Sequence, residues 1–359
     1  MSRPKKPKAI VAGGVEPLYG RIQAILAEAR SQAWRAVNSA MVAAYWEIGR
    51  AIVEDEQHGR GRAEYGADLV NELSTRLTRE FGKGFDRTNL QFMRVFYQLF
   101  PNCDALRREL SWTHYRLLLK VERTDARGFY EAEAVAARWS TRELERQINS
   151  LLFERLALSK DKKKVLALAK KGHEVEQPTD LLKDPYVLEF AGLSPSAAMR
   201  ETDLEQSLID NLSSFLLELG KGFSFVARQK RMRMEDEDFY VDLVFYNYLL
   251  RCFVLIDLKV GKLTHQDLGQ MQMYVNYYHR CETAADENPP LGIVLCTDKN
   301  EAVVRFTLPE GNRQIFAARY KLHLPTEAEL AAELQRERVA IERQMRWKGD
   351  RSMSKDRYR

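Results

Sequence analysis

The spacing of the apolar residues changes once along this chain, and that change limits the fold more than any other feature. From about Glu16 to about Lys171 they recur at helical intervals, as in Ile22, Ile25, Leu26 and Ala29, and again in Met41, Ala44, Tyr45 and Ile48. Each such segment presents one apolar face. Beyond about residue 180, short runs rich in Val, Ile and Phe alternate with helical stretches, which is the pattern of strands packed against helices. An α+β two-domain chain is expected: an all-α domain over 16–172, an α/β domain over 173–325, a disordered basic tail over 1–15, and a charged helix with a basic tail over 326–359.

Punctuation supports this division. "HGRGRAEYG" ends a first long helix, Gly82 and Gly84 end "LVNELSTRLTREF", and Pro101 ends "RTNLQFMRVFYQLF". Ser140 to Glu143, "STRE", reads as a capping box opening a helix to about Leu158. In the second half a helix over 203–219 is followed by strands "FSFVARQKRM", "FYVDLVFYN" and "RCFVLIDLK", then helix "HQDLGQMQMYVNYYHR", strand "LGIVLCT", a short helical "NEAVVRF" and a strand around "RQIFAARYKLHL". The order is αβββαβ. A capping box at Thr326 and Glu329 starts a last helix to about Met345.

Composition excludes several classes. No apolar run approaches the roughly 18–20 residues of a membrane span, and "MSRPKKPK" leads into no apolar signal core; a cytoplasmic protein without membrane contact is expected. Cys103, Cys252, Cys281 and Cys296 show no paired spacing, and the 6 histidines no metal-ligand pattern. Reduced, structural cysteines are expected. A net charge of +5, from 56 basic and 51 acidic residues, tilts the partner toward an anion.

The chemistry gathers on two strands. In "LIDLKVGK" Asp257 and Lys259 lie two residues apart and so on one face of a strand, and Asp242 lies among apolar neighbours in "FYVDLVF". Charges carried into a dry sheet must be paired or bound to metal. Two carboxylates exceed what one lysine neutralises, whereas a hard divalent cation, Mg²⁺ or Mn²⁺, satisfies both; the absence of Cys or His beside them speaks against zinc. Lys259 beside such an ion would activate water or stabilise charge on a phosphate.

Asp242 followed by Asp257-Leu258-Lys259, with a glutamate on the preceding helix, resembles the PD-(D/E)xK nuclease core. Within that superfamily the whole chain resembles the bacterial YhcG group, through "GFDRTNLQFMRVFYQLFP", "LSWTHYRLLLKVE", "WSTRELERQI" and "DLKVGKLTHQDLGQMQMY". Val241 stands where the superfamily name has proline. The resemblance implies a restriction-endonuclease-like fold for the second domain. It makes Glu205, Asp242 and Asp257 metal ligands, Lys259 the charge-stabilising base, and Gln270 a residue for DNA or a metal-bound water, with Tyr274 one turn on. Gly261 would let substrate or backbone come close at the strand's end.

Plainer readings stand beside these. Glu205, three residues after Thr202, would serve as a cap, leaving Glu201 as reserve ligand. Asp257 and Lys259 would be a structural ion pair, and Gln270 and Tyr274 packing. Arg228, Gln229 and Lys230 in "ARQKRMR" would contact phosphate near the site or form a solvated face. In the first half, "GFDRTNLQFMRVFYQLF" suits the second helix of a helix-turn-helix, with Arg87, Asn89, Gln91 and Arg94 toward DNA, or the wet side of a bundle. Trp34, Trp46, Trp112 and Trp139 are expected in the core. The chain is thus expected to be a Mg²⁺-dependent endonuclease acting on DNA as a homodimer. The rivals are a catalytically silent DNA-binding protein and a module active only with partners of a restriction, defence or repair assembly.

Overall fold

A computed structural model describes residues 15–58, 63–157, 162–194 and 199–326, with 328, 329 and 332 beyond them. Most of the two tails, residues 59–62 of "HGRGRAEYG" and Leu158 therefore lie outside the described residues. The Thr326 box is in place: Thr326 N donates to Glu329 Oε2 at 2.7 Å and Glu329 N to Thr326 Oγ1 at 3.2 Å. The chain divides into two compact units, Met1–Glu122 and Arg123–Arg359.

The first unit contains α1 (Val15–His58), α2 (Ala63–Phe81), α3 (Arg87–Leu99) and α4 (Trp112–Leu118). Ile52, Val70, Leu90 and Met93 form its centre, with Tyr45, Ile48 and Trp112 against them. Gly49 is what lets α1 meet α3, since a Cβ there would stand 2.0 Å from the Met93 carbonyl oxygen. Trp46 and Trp139 are buried, but Trp34 is 63% exposed, which corrects its expected place in the core; Ile22, Ile25 and Leu26 are exposed with it. Helical spacing marks an apolar stripe without saying how far a partner runs along it. The 13 residues of α3 span about 20 Å, against about 66 Å for the 44 residues of α1.

The second unit begins with helices α5 (Thr124–Ala136), α6 (Thr141–Asn149), α7 (Leu152–Ala157) and α8 (Lys162–Lys171). Then come β1 (Tyr186–Val187), α9 (Glu201–Asp210), α10 (Leu212–Leu219), β2 (Phe223–Met234), β3 (Glu237–Asn247), β4 (Cys252–Lys262), α11 (His265–Cys281), β5 (Leu291–Asp298), α12 (Glu301–Thr307) and β6 (Ile315–Lys321). The sheet order is β1-β6-β5-β4-β3-β2. β2, β3 and β4 pair antiparallel, while β4, β5, β6 and β1 pair parallel. Val254, Ile256 and Leu258 pack on one face with Leu204, Leu208 and Phe215 of α9 and α10. Leu255 and Val294 pack on the other with Met271, Tyr274 and Val275 of α11.

The expected αβββαβ order is present, with three differences. The helix expected over 203–219 is two, parted at Asn211, whose Nδ2 bonds the Ser207 carbonyl at 3.0 Å. The helix from Ser140 also breaks, at Leu151 with φ +53°. Two-residue β1 was not expected. That second break lets Arg155 reach the Ser150 carbonyl (2.9 Å) and Glu218 (2.5 Å), while Arg146 lies 3.3 Å from the same carboxylate. Val187 N adds a hydrogen bond to Glu218 at 3.0 Å, and Lys183 donates to its carbonyl. This buried charge cluster ties α6, α7 and α10 to β1. Among the described residues no helix is long and apolar enough to cross a membrane.

Candidate active site

Pairing between β3 and β4 runs from Asn247↔Cys252 to Leu243↔Ile256 and stops there. Beyond it β3 continues only with β2, and β4 only with β5. The strands fork. The Leu258 amide, left without a strand partner on that side, donates to Asp242 Oδ2 at 2.8 Å, so the Asp242 carboxylate is held where the ladder ends. Asp257 follows the parity of Leu255 and is 2% exposed. Lys259 Nζ lies 3.3 Å from Asp257 Oδ2 and 3.6 Å from Glu201 Oε2. Glu201 also accepts from Val260 N at 3.2 Å. Gly261, at φ +128°, turns the strand's end; a Cβ there would meet nothing within 4 Å, so its conformation rather than any close approach calls for glycine.

Glu205 enters from α9. The cap reading fails for it, because Arg200 is the N-cap and Asp203 Oδ2 accepts from its amide at 3.1 Å; Thr202 is already inside the helix. Instead Glu205, 4% exposed, accepts from Gln229 Nε2 at 2.6 Å and lies 3.3 Å from Arg228 Nε. The same Gln229 Nε2 donates to Asp242 Oδ1 at 3.0 Å. Glu205, Asp242, Asp257 and Lys259 are therefore brought together, with Arg228 and Gln229 at their edge. Gln270 donates to the Tyr274 hydroxyl, which donates to the Tyr240 carbonyl at 3.0 Å. Lys230 is directed elsewhere, 4.0 Å from Glu282.

The electrostatics are those of an acid cluster short of positive charge. Burial first, and then the Asp242 carboxylate, push Asp257 up to about 7 against the pull of Lys259. Glu205 is raised by burial, with Asp242 adding to it while Gln229 and Arg228 oppose. Burial would lower Lys259, but Asp257 and Glu201 together outweigh it and the ammonium is held above its usual range. Burial, and after it the charge of Asp257, push Tyr274 up to about 12. Asp257 Oδ2 and Glu205 Oε1 are buried and accept no well-aligned hydrogen bond; each has one cation, Lys259 and Arg228 respectively, at ion-pair distance, 3.3 Å.

An all-carboxylate donor set with two orphan oxygens suits a hard divalent cation such as Mg²⁺ or Mn²⁺. Among the described residues, however, no three acidic, His or Cys side chains are already gathered around one point. The Gln229 amide stands between Glu205 and Asp242 and donates to both. Nothing in "ARQKRMR" reveals that role, since it depends on a left-handed backbone at Gln229, φ +45°.

In the first unit Arg87 is exposed at the start of α3. Arg94 pairs with Glu56 at 2.8 Å and Gln91 at 3.1 Å. Asn89 does not face outward as expected: it is buried, accepting from Trp112 Nε1 at 2.8 Å and donating to the Gly84 carbonyl.

Comparison with known proteins places these features in a family. Residues 179–336 match the model of the YhcG PDDEXK nuclease domain, and residues 21–155 that of the DUF1016 N-terminal domain. The protein described as "Putative nuclease YhcG" of Escherichia coli (strain K12) is 39% identical over 361 residues, covering 92% of this chain and 96% of that one. Two solved structures align with 37% of the chain: a repair endonuclease from Pyrococcus abyssi (18% identity, 50% of that chain, TM-score 0.26) and an EndoMS–dsDNA complex (16% identity, 48% of that chain, TM-score 0.26). At those scores the two likenesses carry no weight.

Proposed function

The chain belongs to the YhcG family of PD-(D/E)xK nucleases, and from that premise we propose that it is a cation-dependent endonuclease hydrolysing phosphodiester bonds in DNA. One observation carries the reading: Asp257, 2% exposed, keeps an oxygen without a hydrogen bond beside the second carboxylate of Asp242, with Lys259 at 3.3 Å. A buried carboxylate left short of donors, beside a second acid whose own oxygens are already hydrogen-bonded, is held for a cation rather than for packing.

Asp242, Asp257 and Glu205 would hold the ion. When bound, a divalent cation supplies Lewis-acid polarisation of the phosphate and an acidified water. Lys259, kept charged by Asp257 and Glu201, stabilises negative charge developing on the phosphate. Arg228, resting on Glu205 and on Gln206 at 2.9 Å, would bind a phosphate oxygen, and Gln270 with Tyr274, both on α11, would form the wall on that helix's side. DNA as substrate follows from the family resemblance. Cutting both strands of a duplex calls for two sites at one per chain, hence a homodimer, for which the exposed Ile22, Ile25 and Leu26 supply apolar surface. The helical unit, through Arg87, grips nucleic acid or a partner of a cytoplasmic defence or repair assembly.

The test is cleavage of labelled duplex, single-stranded and branched DNA and of RNA, with Mg²⁺ or with chelator. DNA cutting only with the ion is expected, with Lys259→Ala losing about a hundredfold or more in rate while DNA binding persists. Purified protein that binds DNA and never cuts it, with Mg²⁺ or Mn²⁺, overturns the reading in favour of a silent or partner-dependent DNA-binding protein.

A further inference from the structure

Neighbouring residues of a strand point to opposite faces, yet Arg228 and Gln229 both reach Glu205, at 3.3 Å and 2.6 Å. One backbone departure makes this possible, at Gln229, and a bulge lies three residues upstream of it. A bulge at Val226 shifts the β2–β3 register by one between Phe225 and Ala227, and Gln229 itself sits at φ +45°, a region unfavourable for any residue with a Cβ by about 1–2 kcal/mol. The strand is distorted where it presents an amide to two carboxylates. Gln229 Nε2 then donates to Glu205 Oε2 at 2.6 Å and to Asp242 Oδ1 at 3.0 Å, placing the positive end of the amide dipole between the acids.

We propose that Gln229 is a latch for the cation-free state: its amide stands in for the cation between Glu205 and Asp242, and it must be displaced when the ion binds. The inference rests on the nuclease reading of the same site. An N–H donor and a cation compete for the same oxygen lone pairs. While the amide is in place, Glu205 and Asp242 are held to it rather than to a common centre, in keeping with the absence of a gathered three-ligand group among the described residues. An amide carries only partial charge, so it relieves the repulsion between the acids incompletely and gives way to a divalent ion. Gln229 is thus a positioning residue that weakens resting ion affinity while keeping the empty acid cluster folded.

The experiment is a set of thermal melts and Mn²⁺ titrations by calorimetry on full-length wild type, Gln229→Ala and Gln229→Glu. Without the amide, the chelator-treated Gln229→Ala protein is expected to melt about 2–4 °C lower and to bind Mn²⁺ about five- to tenfold more tightly, as loss of a competing charged hydrogen bond implies. Gln229→Glu, close in shape, replaces the donor by a further acid; its cation-free melting point is expected to fall further and its rise on adding Mn²⁺ to exceed that of wild type. Weaker or unchanged Mn²⁺ binding in Gln229→Ala overturns the latch, as does an unchanged ion-induced rise in Gln229→Glu. Wild-type protein that takes up no ion instead overturns the nuclease reading on which the latch depends.

Discussion

Two clusters of buried charge occupy the second compact unit, and they are opposite in kind. Around Glu218, with Glu189 paired to Arg146 beside it, the cations of Arg155, Arg146 and Lys183 outnumber the two acids, and each Glu218 carboxylate oxygen is engaged. Burial would raise Glu218, but Arg155 and Lys183 overcome it and hold it down at about 2. Around Asp257 the acids outnumber the cations, oxygens go without donors, and the carboxyl is pushed up to about 7. Burial alone therefore does not distinguish structure from function. On the nuclease reading the balance of donors does: a cluster complete in itself holds the fold together, and one lacking positive charge is shaped for something that brings it.

The largest effects should come from reversing one cluster's balance. Glu218→Gln leaves Arg155 buried without its anion, while Arg146 keeps Glu189 at 2.7 Å, and a loss of about 3–5 kcal/mol is expected, the range for breaking a buried pair. Chemical denaturation reads it directly. A loss below about 1 kcal/mol would mean that the Glu218 cluster is no more structural than the site. Asp257→Asn should act in the opposite direction: in chelator, above pH 7, it removes a buried like charge beside Asp242 and should raise the melting point by several degrees. A fall would make Asp257 the structural partner of Lys259 and erase the contrast.

A smaller effect follows from pH. The Asp257 carboxyl has an ordinary value of 3.8 and a folded value of about 7. Between these the unfolded chain has lost a proton that the folded chain keeps, so the cation-free protein loses stability as pH rises from about 4 to about 7 and is level above. Melts in chelator across that range should show this slope in wild type and not in Asp257→Asn. A slope that persists in the variant would assign it to other groups. The smallest expected change is in the other unit: Arg87→Glu should weaken DNA binding several-fold and lower its salt dependence. Equal binding at low salt would remove Arg87 from any DNA interface.

One side of this contrast can be read from the chain before folding. The Asp257 strand was legible because an acid and a base interrupt an otherwise apolar run, and Asp242 because it does the same one strand earlier. Glu205 is reached only through family resemblance, and the alternative of a Thr202 cap fails because Arg200 and Asp203 form the box two residues earlier. The Glu218 cluster was invisible: its partners stand 63 and 72 residues away in sequence, and no local pattern records such meetings. Trp34 misled for a related reason, since periodicity reports which face is apolar and not whether anything packs there. The role of Gln229 depends on one backbone angle, and glutamine gives no sign of adopting it.

Calorimetric titration of wild type and Asp257→Asn with Mn²⁺ at pH 7, in two buffers of different ionisation enthalpy, tests most directly whether the acid-rich cluster is built for a cation. Wild type should take up the ion and release a fraction of a proton as Asp257 ionises, and the variant should lose both the uptake and the release. Ion binding that survives unchanged in Asp257→Asn, or no uptake by wild type at millimolar Mn²⁺, would contradict it.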